Sequence, residues 1–189
     1  MSRAYRIKVA EKLSREITAS DEICSDLEIL EILPPEQMGE LLKGKLKERG
    51  FEEKDGSMTR QGDGVTVTVD PNTGEVRVKA DATENVDLKA EKDDWGYDDV
   101  GPSKEIIEKR LQEGLKKDLE KRADAKQAQL QQKATERLEA EMNEVRGELG
   151  RVVNEVTREA LKIKARSLGE IKEMSEDAEA GTLTIKVEV

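Results

Sequence analysis

Asp70-Pro71-Asn72-Thr73-Gly74 sets a carboxylate, a carboxamide and a glycine at alternate positions and resembles a fragment of a calcium-binding loop. Such a loop closes on an acidic ligand and is flanked by helices. Here the rest of the twelve-residue ligand pattern is not met, and the flanks Val65/Val67/Val69 and Val76/Val78/Ala80 alternate as strands do. With Pro71 presetting the turn and Gly74 free to take positive φ, the same residues read more simply as a hairpin connection. Cys24 is the single thiol, and the chain contains no histidine. That removes Ser-His and Cys-His nucleophiles, the usual general base near neutral pH and the usual zinc ligand set. Cys24 is therefore expected to be a small buried apolar residue rather than a reactive one.

The 43 Asp and Glu could in principle supply an acid–base pair or a magnesium site, but no stretch gathers them in apolar surroundings. Neither GxxxxGK[ST] nor GxGxxG occurs, and KGKLKERG (43–50) has the pattern of a helix face. No catalytic, metal-binding or cofactor-binding residue is assigned, and the chain reads as a non-enzyme.

Composition narrows the classes further. Charged residues make up 40% of the 189 and apolar ones 35%, so an elongated shape is expected over a single globule. Disorder competes with that reading, but the apolar residues are periodic in most segments. The 33 Lys and Arg against 43 acidic residues leave a net charge of −10, which disfavours nucleic acid and anionic membrane as partners. The most basic segment, LKKDLEKR (115–122), is interleaved with Asp118 and Glu120 and reads as a solvated helix face. One cysteine rules out an internal disulfide. No apolar run nears the roughly twenty residues that span a bilayer, and residues 1–13 lack a signal-peptide core, so a cytoplasmic location is expected.

The elements follow from period and punctuation. Tyr5, Ile7 and Val9 alternate with Arg6 and Lys8, predicting a strand; EICSDLEILEIL (22–33) mixes two periods and is read as strand. Pro34 and Pro35 precede a stripe of Met38, Leu41, Leu42 and Leu46 that ends at Gly50, a helix with its C-cap. The valine hairpin around DPNTG comes next, then a further strand in NVDLKAE (85–91). KDDWGYDDVGP (92–102) reads as a linker. Its Trp95 and Tyr97 either pack the loop on the sheet edge or anchor a partner protein.

From Ser103, an N-cap candidate, a helical pattern runs to about Glu173, roughly 105 Å at 1.5 Å per residue. Leu138, Met142, Val145, Leu149, Val152 and Val156 keep a 4-3-4-3-4 spacing, a short heptad seam expected to mediate self-association. Gly147 and Gly150 interrupt it and mark continuity, a kink or a hairpin turn. The chain ends on TLTIKVEV, whose Leu183, Ile185, Val187 and Val189 share one face of a strand. This strand is expected to return to the valine sheet or to join that sheet in a neighbouring copy.

Four stretches, MSRAYRIKVAEKL (1–13), ILPPEQMGELL (32–42), GVTVTVDPNTGEVRV (64–78) and LGEIKEMSEDAEAGTLTIKVEV (168–189), resemble an accessory protein family of the bacterial FtsH ternary systems. Those systems combine an FtsH-like AAA+ protein, a MoxR-type ATPase and a von Willebrand A domain protein with small accessory proteins. The resemblance implies an accessory role beside an AAA+ ATPase partner in conflict or stress response.

Together these readings predict an α+β protein. A small, mostly antiparallel sheet domain with one short helix covers residues 1–93, and an acidic aromatic linker covers 94–102. A long amphipathic helix, straight, kinked or hairpinned, covers 103–174, and a terminal loop and strand cover 175–189. The expected function is a non-catalytic, homo-oligomeric assembly component; the rival is a free-standing coiled-coil stalk or holdase-like chaperone.

Overall fold

A computed structural model describes residues 3–97, 99, 101–177 and 182–188. The protein is α+β. In chain order the elements are β1 (Ala4–Asp26), α1 (Pro35–Glu48), β2 (Glu52–Lys54), β3 (Ser57–Gly62), β4 (Val65–Val69), β5 (Glu75–Tyr97), α2 (Lys104–Leu168), β6 (Glu170–Asp177) and β7 (Thr182–Glu188). A five-stranded sheet has the order β1-β5-β4-β3-β2, and β6 and β7 form a separate two-stranded sheet.

The chain divides into two compact units, neither of them a consecutive segment. One comprises residues 1–20 and 81–135, the other 21–80 and 136–189. The boundary falls inside β1, β5 and α2, so each of these elements contributes to both units.

In the second unit the sheet is built by tight turns. Asp55-Gly56 and Asp63-Gly64 take positive φ in succession, the backbone of two-residue hairpin loops joining β2 to β3 and β3 to β4. The predicted β4–β5 hairpin forms, with Val65 opposite Ala80, Val67 opposite Val78 and Val69 opposite Val76. These six, with Met58, form the buried face of the sheet. Leu42 and Leu46 of α1 and a stripe of α2 from Leu138 to Ala160 complete the same core.

α1 starts on proline and stops on glycine. Pro34 O accepts from the backbone N of Gln37 and Met38 at 2.9 and 3.1 Å. At the far end Gly50 (φ 79°) donates to Lys47 O and Phe51 to Leu46 O, each at 3.1 Å, and Phe51 and Leu46 both enter the core.

In the first unit β1 and β5 form an antiparallel ribbon, as the side-chain pairs Arg6–Asp93 and Ser14–Asp87 require. Ile17, Ala19 and Val86 pack with Leu130 and Ala134 of α2. Arg15 reaches Asp124 at 3.2 Å, Lys92 pairs with Asp118, and the Gln131 side-chain amide donates to Ser20 O at 3.0 Å.

Several elements differ from the sequence reading. The strand read over 22–33 ends at Asp26; Leu27–Leu33 is irregular, tied by Leu27 N donating to Gly74 O at 2.8 Å. NVDLKAE is the interior of β5, which is a single strand of 23 residues. Residues 94–97 of the expected linker end that strand, while 98 and 100 lie outside the described residues. α2 passes unbroken through Gly147 and Gly150 and stops at Leu168 rather than near Glu173. Beyond it Gly169 sits so close to the Glu188 carbonyl oxygen that a Cβ would collide with backbone. The terminal strand does not return to the valine sheet: β7 pairs with β6, which occupies the expected end of the helix and the start of the terminal loop.

Candidate interaction surfaces

The DPNTG carboxylate is used by its own turn. Asp70 Oδ1 accepts from Asn72 N at 2.8 Å, Asp70 O accepts from Gly74 N at 2.8 Å, and Gly74 has φ 79°. α1 crosses this turn closely: a Cβ on Gly39 would lie 3.2 Å from Pro71 O. Among the described residues no group of three or more His, Cys, Asp or Glu is placed to hold a metal ion. Cys24 is exposed, not buried, on the side of β1 that carries Glu22; its Sγ lies 3.7 Å from Glu22 Oε1. The expectation failed because alternation along β1 puts positions 22 and 24 on the solvent face.

Leu138, Met142, Val145, Leu149, Val152 and Val156 do line up as one stripe, but its occupant lies within the chain. Met142 is 6% exposed and the other five 3% or less, packed in the core that β3–β5 and α1 share. The stripe expected to mediate self-association is thus covered by the chain's own sheet and short helix. Periodicity reports that a stripe is covered, and the sheet supplies the cover here.

One charged cluster locks α2 to that sheet. Arg60 lies on the apolar side of β3 and reaches Glu148 through both nitrogens of its fork, at 2.8 and 2.7 Å. Its guanidinium carbon is 4.7 Å from the Phe51 ring centre. Arg49 adds a 2.7 Å pair to Glu155 on the same helix. The Arg60 hydrogen bonds hold the Glu148 carboxyl below the ordinary glutamate range, and Glu148 raises Arg60 in return. The sequence signal for this lock was an arginine at a core-facing position of a short strand.

Trp95 and Tyr97 are two residues apart on β5 and therefore share a face. They are 57% and 51% exposed. The residue between them, Gly96, is buried on the other side, where a Cβ would meet the Tyr5 ring at 2.6 Å. The pair is thus an open aromatic surface on a strand whose reverse side is covered, not a plug on the sheet edge.

Leu183, Ile185 and Val187 are half-buried on β7, opposite Glu176, Met174 and Ile171 of β6. Val189 lies outside the described residues. Arg158 of α2 bonds Glu176 at 2.5 Å. Among the described residues no helix is long and apolar enough to cross a membrane.

Comparison with known families agrees with the stretches that carry the resemblance. The model of the FtsH ternary system domain X5 matches residues 1–189. The chain belongs to this family. FtsH ternary system membership covers both units, since the match spans the full sequence. No curated protein and no solved structure matches the chain.

Proposed function

We propose that this FtsH ternary system component is a non-catalytic accessory protein that binds the AAA+ ATPase of its system through the Trp95–Tyr97 face, in service of a conflict or stress response. The observation that carries the reading is the exposure of two large aromatic side chains, side by side, on a strand already packed on its other side. Tryptophan and tyrosine dominate interface hot spots because they bury much area at low conformational cost. Family membership supplies the system; the aromatic pair supplies a surface.

Self-association through the long helix is not retained, because the stripe meant to carry it is buried within one chain. The same burial counts against a free-standing coiled-coil stalk or holdase, either of which needs that stripe open.

The test is co-purification of tagged protein with the AAA+ ATPase of the same system, using wild type, Trp95→Ala and Tyr97→Ala. Each substitution is expected to weaken capture by about tenfold or more, as hot-spot truncation does, with an unchanged circular dichroism melt. Equal capture by wild type and both variants would remove the aromatic face from the interface. Absence of capture by wild type would remove the ATPase partner.

A further inference from the structure

We propose that β7 pairs with β7 of a second copy of this chain, the two strands running antiparallel about a two-fold axis at Ile185. β6 and β7 form a sheet of only two strands, and among the described residues no strand lies beside the other edge of β7. The register irregularity of this hairpin falls at Ile171/Glu173, on β6. Bulges and charges are how proteins blunt a sheet edge; β7 carries no bulge, and its two charges, Lys186 and Glu188, are engaged by Glu173 and Lys172 of β6. Its apolar face is open enough to extend: Leu183, Ile185 and Val187 are half-buried, and Met174 is 48% exposed. The opposite face is polar, with pairs Lys172–Glu188 and Lys186–Glu173 at 2.5 Å.

The order of residues in β7 selects a second copy as the occupant. Antiparallel self-pairing about Ile185 sets Leu183 opposite Val187, Ile185 opposite itself, Thr184 opposite Lys186 and Thr182 opposite Glu188. Apolar meets apolar, each charge meets a threonine, and no like charges meet. A shift of the axis to Lys186 would oppose two ammonium groups. A shift by half a residue would set threonine against isoleucine on one face. β6 has no such symmetry: pairing about its middle opposes Glu170 to Asp177 and Ile171 to Glu176. The product is a four-stranded sheet, β6-β7-β7-β6, whose two central strands present Leu183, Ile185 and Val187 of both copies on one face. It requires neither the aromatic pair nor the ATPase.

Sedimentation velocity over a concentration series of the full chain tests this, with Thr184→Lys and Thr184→Glu. Thr184 is exposed and faces Ser175 in its own hairpin, so neither change removes a partner there. Across the two-fold axis, each new charge lies opposite Lys186, twice per dimer. Wild type is expected to dimerise, T184K to weaken the dimer about tenfold and T184E to tighten it by a similar factor, as two cross-strand pairs would. At one concentration T184K should also lose amide protection in residues 183–187. A chain monomeric at its highest soluble concentration, or a dimer indifferent to the sign of charge at position 184, overturns the proposal. Trp95→Ala leaves this dimer intact, so its failure and that of the ATPase reading are separate results.

Discussion

The two halves of α2 look alike in sequence and are held in different ways. Residues 136–168 lie over a sheet of several strands and a second helix, and their stripe joins a broad core ending at Ala160. Residues 104–135 have only the β1–β5 ribbon beside them in their unit, and the cluster there is narrow, with Ile17, Ala19 and Val86 against Leu130 and Ala134. Ile107, Leu115, Leu119 and Ala123 are buried in that half as well, and ion pairs at Lys92–Asp118 and Arg15–Asp124 add to them. One amphipathic helix thus serves as the lid of a hydrophobic core over part of its length and as the partner of a charged ribbon over the rest. The width of the opposing apolar surface decides which.

The largest test of that contrast is truncation in each core. Leu149→Ala, in a site 3% exposed, is expected to cost about 2–5 kcal/mol in urea unfolding. Leu130→Ala should fall at the low end of the same range, because its cluster is narrow and fewer buried side chains line the gap. Equal costs would mean the two halves are equally well packed.

Next in size is the Arg60 lock. Arg60→Ala should cost about 1–2 kcal/mol, partial solvent exposure keeping it below a fully buried pair. Because the folded-state Glu148 carboxyl is depressed, its stabilisation is complete above the ordinary carboxylate range and is lost as pH falls through the lowered value. Urea midpoints should therefore fall more steeply below about pH 4 in wild type than in Glu148→Gln.

Gly147 and Gly150 should act in the opposite direction. A Cβ at either would meet nothing within 4 Å, so Gly147→Ala is expected to stabilise by about 0.5–1 kcal/mol, measured as a higher melting temperature. Smallest is Asp118→Asn. Removing the exposed pair with Lys92 should leave the global melt unmoved while quickening hydrogen exchange in residues 104–135 alone.

Much of the architecture was written in local chemistry. The valine alternation marked both strands of the β4–β5 hairpin, and Pro34, Pro35 and Gly50 bounded α1 because their backbone limits leave few alternatives. The first two hairpins are marked in the same way by Asp55-Gly56 and Asp63-Gly64, although the strands beside them are short and lack a valine run. Other features were hidden for physical reasons. Glu170–Asp177 is polar enough to continue a helix on composition, and only its partner across the hairpin makes it a strand. The stripe from Leu138 to Val156 declared that it was covered but carried no mark of what covers it. Trp95 and Tyr97 were legible as candidates, while their exposure depended on which side of β5 the helix would occupy.

The interleaving of the two units fixes what can be cut out of this protein. Because β1, β5 and α2 each cross from one unit to the other, no single start and stop codon can isolate either unit, and a gene fragment ending at residue 80 or 135 severs a strand or a helix in mid-length. Work on one unit alone must instead rejoin its pieces with new connections, bridging residues 20 to 81 for the first unit or 80 to 136 for the second. Point substitution, rather than dissection, is the natural tool for assigning its surfaces.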